Sequence, residues 1–298
     1  MSLKDKNIKI QFISRRLKRL TSIIYKLDLN PEMRLGGMQD IGGLRVVVTS
    51  MQDLSTSLDA IKKNTHKNFE LCRIINYIEE PKTSGYRSVH FIYKYISEDD
   101  NVNGMKVELQ LRTELQHNWA MAVETAGLIT KTPLKSSQGD DEWLNFFKIV
   151  SSLFSIKEKT VIMAEHLDRK LDMKALMIEL YKINKKNKYF DTLKVLRVSN
   201  NQAKKEQYKN GYYLLNINFQ TQIVNISAFP KEKEEEATQM YEEQEKQIED
   251  NKNAVVLVSV PKMKELQEAY PSYFLDTSEF LQVVDTILDN CKKWNLVQ

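Results

Sequence analysis

The chain has 298 residues, 42% of them hydrophobic and 28% charged, the balance of a globular protein with enough apolar mass for two domains. No stretch approaches the roughly 20 apolar residues of a membrane span, the opening MSLKDKNIKI lacks the apolar run of a signal peptide, and Cys72 and Cys291 are too few and too distant for a disulfide framework or a zinc cluster. The net charge of +4 is modest but unevenly spread, and a cytoplasmic protein with reduced thiols and no membrane partner is expected.

Residues 7–27 carry Ile8, Phe12, Leu17, Leu20, Ile23, Ile24 and Leu27 at roughly helical spacing, with basic residues between them, which predicts a helix. Leu35-Gly36-Gly37 breaks that pattern, and a Gly42-Gly43 turn introduces the buried strand Leu44–Val48. Ser55 to Asn64 suits a short helix. Strands follow at about 70–78, 86–96 and 105–112, the last after the turn-forming Asp99-Asp100-Asn101 and Asn103-Gly104. Helices are expected from Glu114 to Leu128 and over 141–156 and 160–182. Asp140 or Asp141 can cap the second of these, and Trp119, Trp143, Phe146 and Phe147 read as core.

Beyond this point come a lysine-rich stretch over 182–209, a hairpin of Tyr212–Phe219 and Gln222–Phe229, an acidic helix over 231–250 and an apolar strand Ala254–Val260. Helices near 262–269 and 277–293 close the chain, with Pro271–Phe274 as a hydrophobic anchor between them. The fold class is α/β (α+β). Residues 1–155 form a mixed β-sheet flanked by helices, and residues 156–298 form a helical connector and a smaller α/β or α+β domain.

The polar faces of the strands carry the chemistry. In Val107-Glu108-Leu109-Gln110-Leu111-Arg112, alternation puts Glu108, Gln110 and Arg112 on one side. A solvated cleft explains three large polar groups in a row, and so does the wet face of an edge strand. Tyr86, Ser88 and His90 repeat the pattern after the turn Pro81-Lys82-Thr83-Ser84-Gly85. Asp40, just before Gly42-Gly43 and Arg45, can stabilise a turn. With Glu108 it can also hold magnesium, which needs only one or two carboxylates beside substrate phosphates.

Together these segments resemble the RelA/SpoT alarmone synthetase domain. The match lies in Asp40-Ile-Gly-Gly-Leu-Arg45, in Tyr77-Ile-Glu-Glu-Pro-Lys82-Thr-Ser-Gly85-Tyr86-Arg87-Ser88-Val-His90, and in Val107-Glu108-Leu-Gln110-Leu-Arg112-Thr113. Arg16-x-Lys18, Ser22 and Lys26 upstream and Trp119-Ala120 downstream extend it over roughly residues 10–130. The resemblance implies a nucleotidyltransferase-like domain that moves pyrophosphate from ATP to the 3′-hydroxyl of GDP or GTP. It implies Asp40 and Glu108 as catalytic residues and Mg2+ ligands, and Arg16, Lys18, Ser22, Lys26, Arg45 and Arg112 on the ATP side. Lys82, Tyr86, Ser88, His90, Gln110 and His117 fall on the acceptor side, with Tyr86 stacked on the base.

His117 stands where small members of the family usually have Asn, which opens the identity of the acceptor. Toxin-type relatives make adenosine alarmones or modify tRNA 3′ ends, and the basic stretches 1–26 and 182–209 would suit RNA. A catalytically silent nucleotide-binding module is the remaining alternative, and a homo-oligomer is compatible with the resemblance. The chain has no adjacent His-Asp pair, so hydrolysis of the product by the same chain is not expected.

Overall fold

The computed structural model describes residues 8–17, 20–64, 66–130, 141–195, 211–218, 221, 223–247, 253–260 and 277–297. Its first sheet has five strands: β1 (Ile10–Leu17), β2 (Gly42–Val48), β3 (Phe69–Asn76), β4 (Val89–Tyr95) and β5 (Lys106–Thr113). They lie in the order β1-β2-β5-β4-β3. Only the β2–β5 pair is parallel, so the sheet is mixed, as expected.

The predicted helix over 7–27 is instead β1 followed by α1 (Leu20–Asp28). Ile8, Phe12 and Leu17 fit helical spacing, but pairing with β2 satisfies the backbone of 10–17 and overrides that weak preference. A register shift between Ile10 and Phe12 marks a bulge. It leaves Ile8 and Ile10 in the apolar cluster with Val46 and Val48 and brings Phe12 to His117 on the other face.

α2 (Met51–Lys63) covers one face, packing Leu54, Leu58 and Ile61 with Val89, Phe91 and Leu111. It begins four residues before the expected Ser55 because Ser50 caps it: the Ser50 hydroxyl accepts from Asp53 N at 3.1 Å and donates to the Asp53 carboxylate at 2.6 Å. On the opposite face α3 (Glu114–Thr130) meets Arg112 and Phe12 through His117, and α4 (Asp141–Glu158) packs on α3.

The expected helix over 160–182 is two: α5 (Ala164–Asp168) and α6 (Met173–Asn187). Lys170 at φ 55° breaks the run, and Asp172 caps α6 by accepting from Ala175 N at 2.8 Å. α7 (Tyr189–Val195) follows. The four predicted core aromatics Trp119, Trp143, Phe146 and Phe147 are buried as expected, in one cluster with Leu176, Leu180 and Tyr189.

The expected hairpin is β6 (Gly211–Asn218) and β7 (Ile223–Phe229), joined by β8 (Asn253–Val260) into a sheet of order β7-β6-β8. The acidic helix α8 (Glu234–Lys246) packs on it through Ala237, Met240 and Tyr241. The last helix, α9 (Ser278–Lys293), packs on α3, α6 and α7. Its Phe280, Val284, Leu288 and Cys291 repeat at helical spacing and are all buried in the same cluster as Trp119. The expected helix 262–269, the Pro271–Phe274 anchor and the Asp140 cap lie outside the described residues. No described helix is long and apolar enough to cross a membrane.

Candidate active site

Strand register assembles the site on the sheet face opposite α2. Arg16 pairs with Gly43, and Gly43 with Glu108. In the next row Ser14, Arg45, Gln110 and His90 lie side by side across four strands. One residue pair further along β5 stands Arg112, opposite Val47. Cross-strand neighbours point to the same side, so a carboxylate, an amide, an imidazole and two guanidinium groups share one surface.

Glu108 sits at the centre. His90 Nδ1 lies 2.6 Å from Glu108 Oε1, and Gln110 Nε2 donates to Oε2 at 2.7 Å. On the far side of the imidazole, Tyr86 Oη is 2.9 Å from His90 Nε2. Burial alone would raise the Glu108 carboxyl. The hydrogen bond and charge of His90 and the hydrogen bond from Gln110 outweigh burial, and the carboxyl lies below its ordinary value despite the opposing charge of Asp40. Glu108 is therefore an ionised hydrogen-bond acceptor. Gln110 Oε1 is buried beside it with no hydrogen-bond partner among the described residues.

Asp40 reaches the site from the segment before β2. Lys26 Nζ, in the last turn of α1, donates to Asp40 Oδ1 at 2.9 Å. Asp40 and Glu108 are close enough for each charge to be felt by the other. Each carboxylate oxygen has a second lone pair, so this pair can still bind a cation. Arg45 is 3% exposed and Arg112 fully buried. Their charges lower the Tyr86 hydroxyl, although burial dominates and raises it overall.

Ser88 and His117 are both expected on the acceptor side. Ser88 is buried just before β4, donates to the Leu111 carbonyl at 3.2 Å and is hydrogen-bonded to the Tyr86 hydroxyl. His117 stands behind Arg112. Its Nδ1 accepts from Arg112 Nη2 at 2.5 Å and its ring meets Phe12 edge-on at 5.1 Å. Arginine can only donate, so the His117 proton belongs on Nε2. The ring thus lies in the first turns of α3, over the end of β5 and against Arg112.

For Tyr86 the expectation is a ring stacked on the acceptor base. The residue is 3% exposed and packs in the core cluster. The half-buried Tyr77 lies in front of it at 6.0 Å and meets His90 at 5.1 Å. Lys82 Nζ sits 4.5 Å from the Tyr77 ring and 5.4 Å from the Tyr86 ring. Tyr77 was quoted in the motif without a role. Its distance from His90 in sequence hid the contact, which the pairing of Asn76 with Val89 creates. The Arg16 and Ser22 side chains and all of Lys18 lie outside the described residues.

Behind the loop, Arg87 is buried, and burial pulls its guanidinium down to about 10 against the charge of Glu158. Glu158 accepts from Thr113 Oγ1 and, at 2.8 Å, from Gln116 Nε2. Burial raises the Glu158 carboxyl, against Thr113, Gln116 and Arg87. A raised folded value means that its contribution to stability is complete below the unfolded value of 4.5 and is lost as pH rises through the folded value. The thermal midpoint of Glu158→Gln relative to the parent should therefore climb as pH rises above the unfolded value of 4.5. A difference that stays flat or falls would contradict this.

Comparison with known proteins agrees with the motif reading. The model of the region found in RelA / SpoT proteins matches residues 15–131. The Bacillus subtilis GTP pyrophosphokinase YwaC is 27% identical over 117 residues, 37% of this chain and 55% of that one. GTP pyrophosphokinase YjbM of the same organism is 33% identical over 121 residues, 39% of this chain and 56% of that one. The matched stretch thus spans about half the length of these curated relatives. Among solved structures, small alarmone synthetase 1 from Bacillus subtilis bound to its product pppGpp aligns with a TM-score of 0.43 and 24% identity, over 54% of this chain and 78% of that one. A GTP pyrophosphokinase family protein from Streptococcus pneumoniae aligns with a TM-score of 0.44 and 24% identity, over 58% and 83%.

Proposed function

From the premise that residues 15–131 are a RelA/SpoT region, we propose that the chain transfers pyrophosphate from ATP to the 3′-hydroxyl of GDP or GTP. The observation that carries this reading is the single polar sheet face: Glu108 held by His90 and Gln110, Asp40 beside it, and two buried arginines in the adjoining rows. Buried cations around a carboxylate suit the positioning and charge neutralisation that phosphoryl transfer needs.

In the proposed reaction the acceptor 3′-oxygen forms a bond to the β-phosphorus of ATP. The bond from that phosphorus to the oxygen bridging it to the α-phosphate breaks, and AMP leaves. The hydroxyl proton passes to Glu108 and then to solvent. The lowered Glu108 value favours orientation of the hydroxyl by a strong hydrogen bond over early proton removal. Lys26, Arg45 and Arg112, with Arg16, Lys18 and Ser22 upstream, would receive the ATP phosphates. Gln110 and His90 would hold Glu108 at the acceptor side.

Asp40 and Glu108 fit Mg2+, a hard cation that takes one or two carboxylates along with substrate phosphates. When bound, the ion would neutralise charge on the transferring group. The acceptor base would stack on the Tyr77–Tyr86 wall once Lys82 leaves the Tyr77 ring for an acceptor phosphate. Stacking is worth about 1–3 kcal/mol per base, so Tyr77→Ala should raise the acceptor KM by roughly tenfold or more and leave the ATP KM unchanged. Equal acceptor KM values in the two proteins would remove Tyr77 from the binding wall.

The test of the function is a parallel incubation of the chain with β-labelled ATP, magnesium and GDP, GTP, AMP or tRNA. Label in GDP and GTP is expected. Label only in AMP or only in tRNA would reject the guanine-nucleotide reading, and no label in any acceptor would reject the activity.

A further inference from the structure

The loop 81–88 is held from behind by a helix that lies beyond the matched region. Ser151, on α4, is 1% exposed among apolar neighbours such as Val150, Leu153 and Phe154. A serine inside a helix usually turns its hydroxyl back to its own helix's carbonyls. Here the hydroxyl donates to the Gly85 carbonyl at 2.6 Å and accepts from Arg87 Nε at 3.0 Å. Arg87 Nη1 also donates to the Ile78 carbonyl at 3.3 Å, at the other end of the loop.

Gly85 itself has φ +90°, and a Cβ there would lie 3.0 Å from Ser151 Cβ and 3.1 Å from the Trp119 ring. Only glycine fits between the loop and the two helices at that backbone angle. The turn so fixed is the one that carries Lys82 and Tyr86: Gly85 N donates to the Lys82 carbonyl at 2.7 Å, and Lys82 N to the Tyr86 carbonyl at 3.3 Å. Trp119 is itself fixed to α4 by a 2.9 Å bond from Nε1 to the Phe147 carbonyl. Glu158, at the other end of α4, is bonded to Thr113 and Gln116 where β5 meets α3.

We propose that Ser151 is a positioning residue through which α4 sets the shape of the acceptor-binding loop, with Arg87 as its second tie. The proposal rests on the assignment of Lys82 and Tyr86 to the acceptor side. Apolar packing of α4 needs no hydroxyl at 151. A hydroxyl shared between a loop carbonyl and a loop guanidinium does need one. The consequence is that α4, although remote from the phosphates, governs affinity for the acceptor and leaves affinity for ATP alone.

The experiment compares the full chain with Ser151→Ala by steady-state kinetics in each substrate and by amide hydrogen exchange. The acceptor KM should rise about fivefold to tenfold, as expected for one lost hydrogen bond. The ATP KM should stay constant, and the amides of Lys82 and Gly85 should exchange faster. An unchanged acceptor KM, a parallel rise in both KM values, or a fall in kcat alone would overturn the proposal. If Ser151→Ala does not fold, Ser151→Cys, which keeps the volume with a weaker donor, is read by the same criteria. If the parent chain modifies no guanine nucleotide, the activity reading fails separately. Exchange at Lys82 and Gly85 then decides the tie: acceleration supports it, and unchanged rates overturn it.

Discussion

Glu108→Gln should reduce pyrophosphate transfer by about 10²–10⁴-fold, the range a correctly placed carboxylate supplies, while the melting curve stays close to that of the parent. The amide has nearly the same shape but lacks the charge. It loses the ionic partner of His90 Nδ1 at 2.6 Å and turns one of two accepting oxygens into a donor facing Gln110 or His90. It also removes half of the carboxylate pair formed with Asp40. Both proposed roles of Glu108, orienting the 3′-hydroxyl and holding a cation, need the negative charge. Binding of ATP, for which Lys26, Arg45 and Arg112 are the proposed contacts, should persist. Full activity in this variant would remove Glu108 from the chemistry. Loss of activity accompanied by unfolding would be read against Asp40→Asn, which leaves β5 untouched.

Gly43→Ala should be nearly as damaging by a backbone route. Gly43 faces Glu108 across the parallel β2–β5 pair, and an added Cβ would lie 2.7 Å from the Glu108 carbonyl oxygen. That contact is with backbone, so one strand has to shift. Overpacking of this kind costs about 1–3 kcal/mol, and a displacement on the order of 1 Å at a reacting group can cost about 10²-fold in rate. A lower thermal midpoint and a rate loss of about that size are expected together. Gly36→Ala is the control, because nothing lies within 4 Å of the methyl it would add. A Gly43→Ala protein with parental rate and midpoint would show that the strands separate there without disturbing Glu108.

The site was legible in the sequence where strand alternation fixes direction. Glu108, Gln110 and Arg112 had to share a face once residues 105–112 were read as a strand, and the register then added Arg45 and His90. Asp40 was legible as a carboxylate that could join Glu108 around magnesium, while the resemblance to a known family supplied Lys26, which no local pattern joins to β5. The surroundings of Ser88 and His117 were not legible, because both lie where an element begins. Ser88 precedes the first residue of β4 and turns to the Leu111 carbonyl, and His117 sits in the opening turns of α3 over Arg112. Neither direction follows from a period of two.

The start of the chain was misread for a different reason. Ile8, Phe12 and Leu17 satisfy helical spacing, and only pairing with β2 and the bulge after Ile10 turn the segment into a strand. Contacts between distant segments were invisible for the same cause. Ser151 and Gly85 are 66 positions apart, and nothing in either segment marks the other as its partner. The last helix is legible as an amphipathic segment from Phe280, Val284, Leu288 and Cys291 alone, but its seat on α3, α6 and α7 is a tertiary fact.

Product stoichiometry distinguishes the proposed transfer of a pyrophosphate unit to a guanine nucleotide's 3′-hydroxyl from every other use of ATP. Incubated with ATP, magnesium and GDP, the protein should release one AMP for each GDP consumed, with phosphorus resonance showing a new diphosphate at the 3′ position. It should release none with 3′-deoxyguanosine diphosphate. Release of ADP in place of AMP, or undiminished AMP release with the 3′-deoxy acceptor, would rule out pyrophosphate transfer to the 3′-hydroxyl.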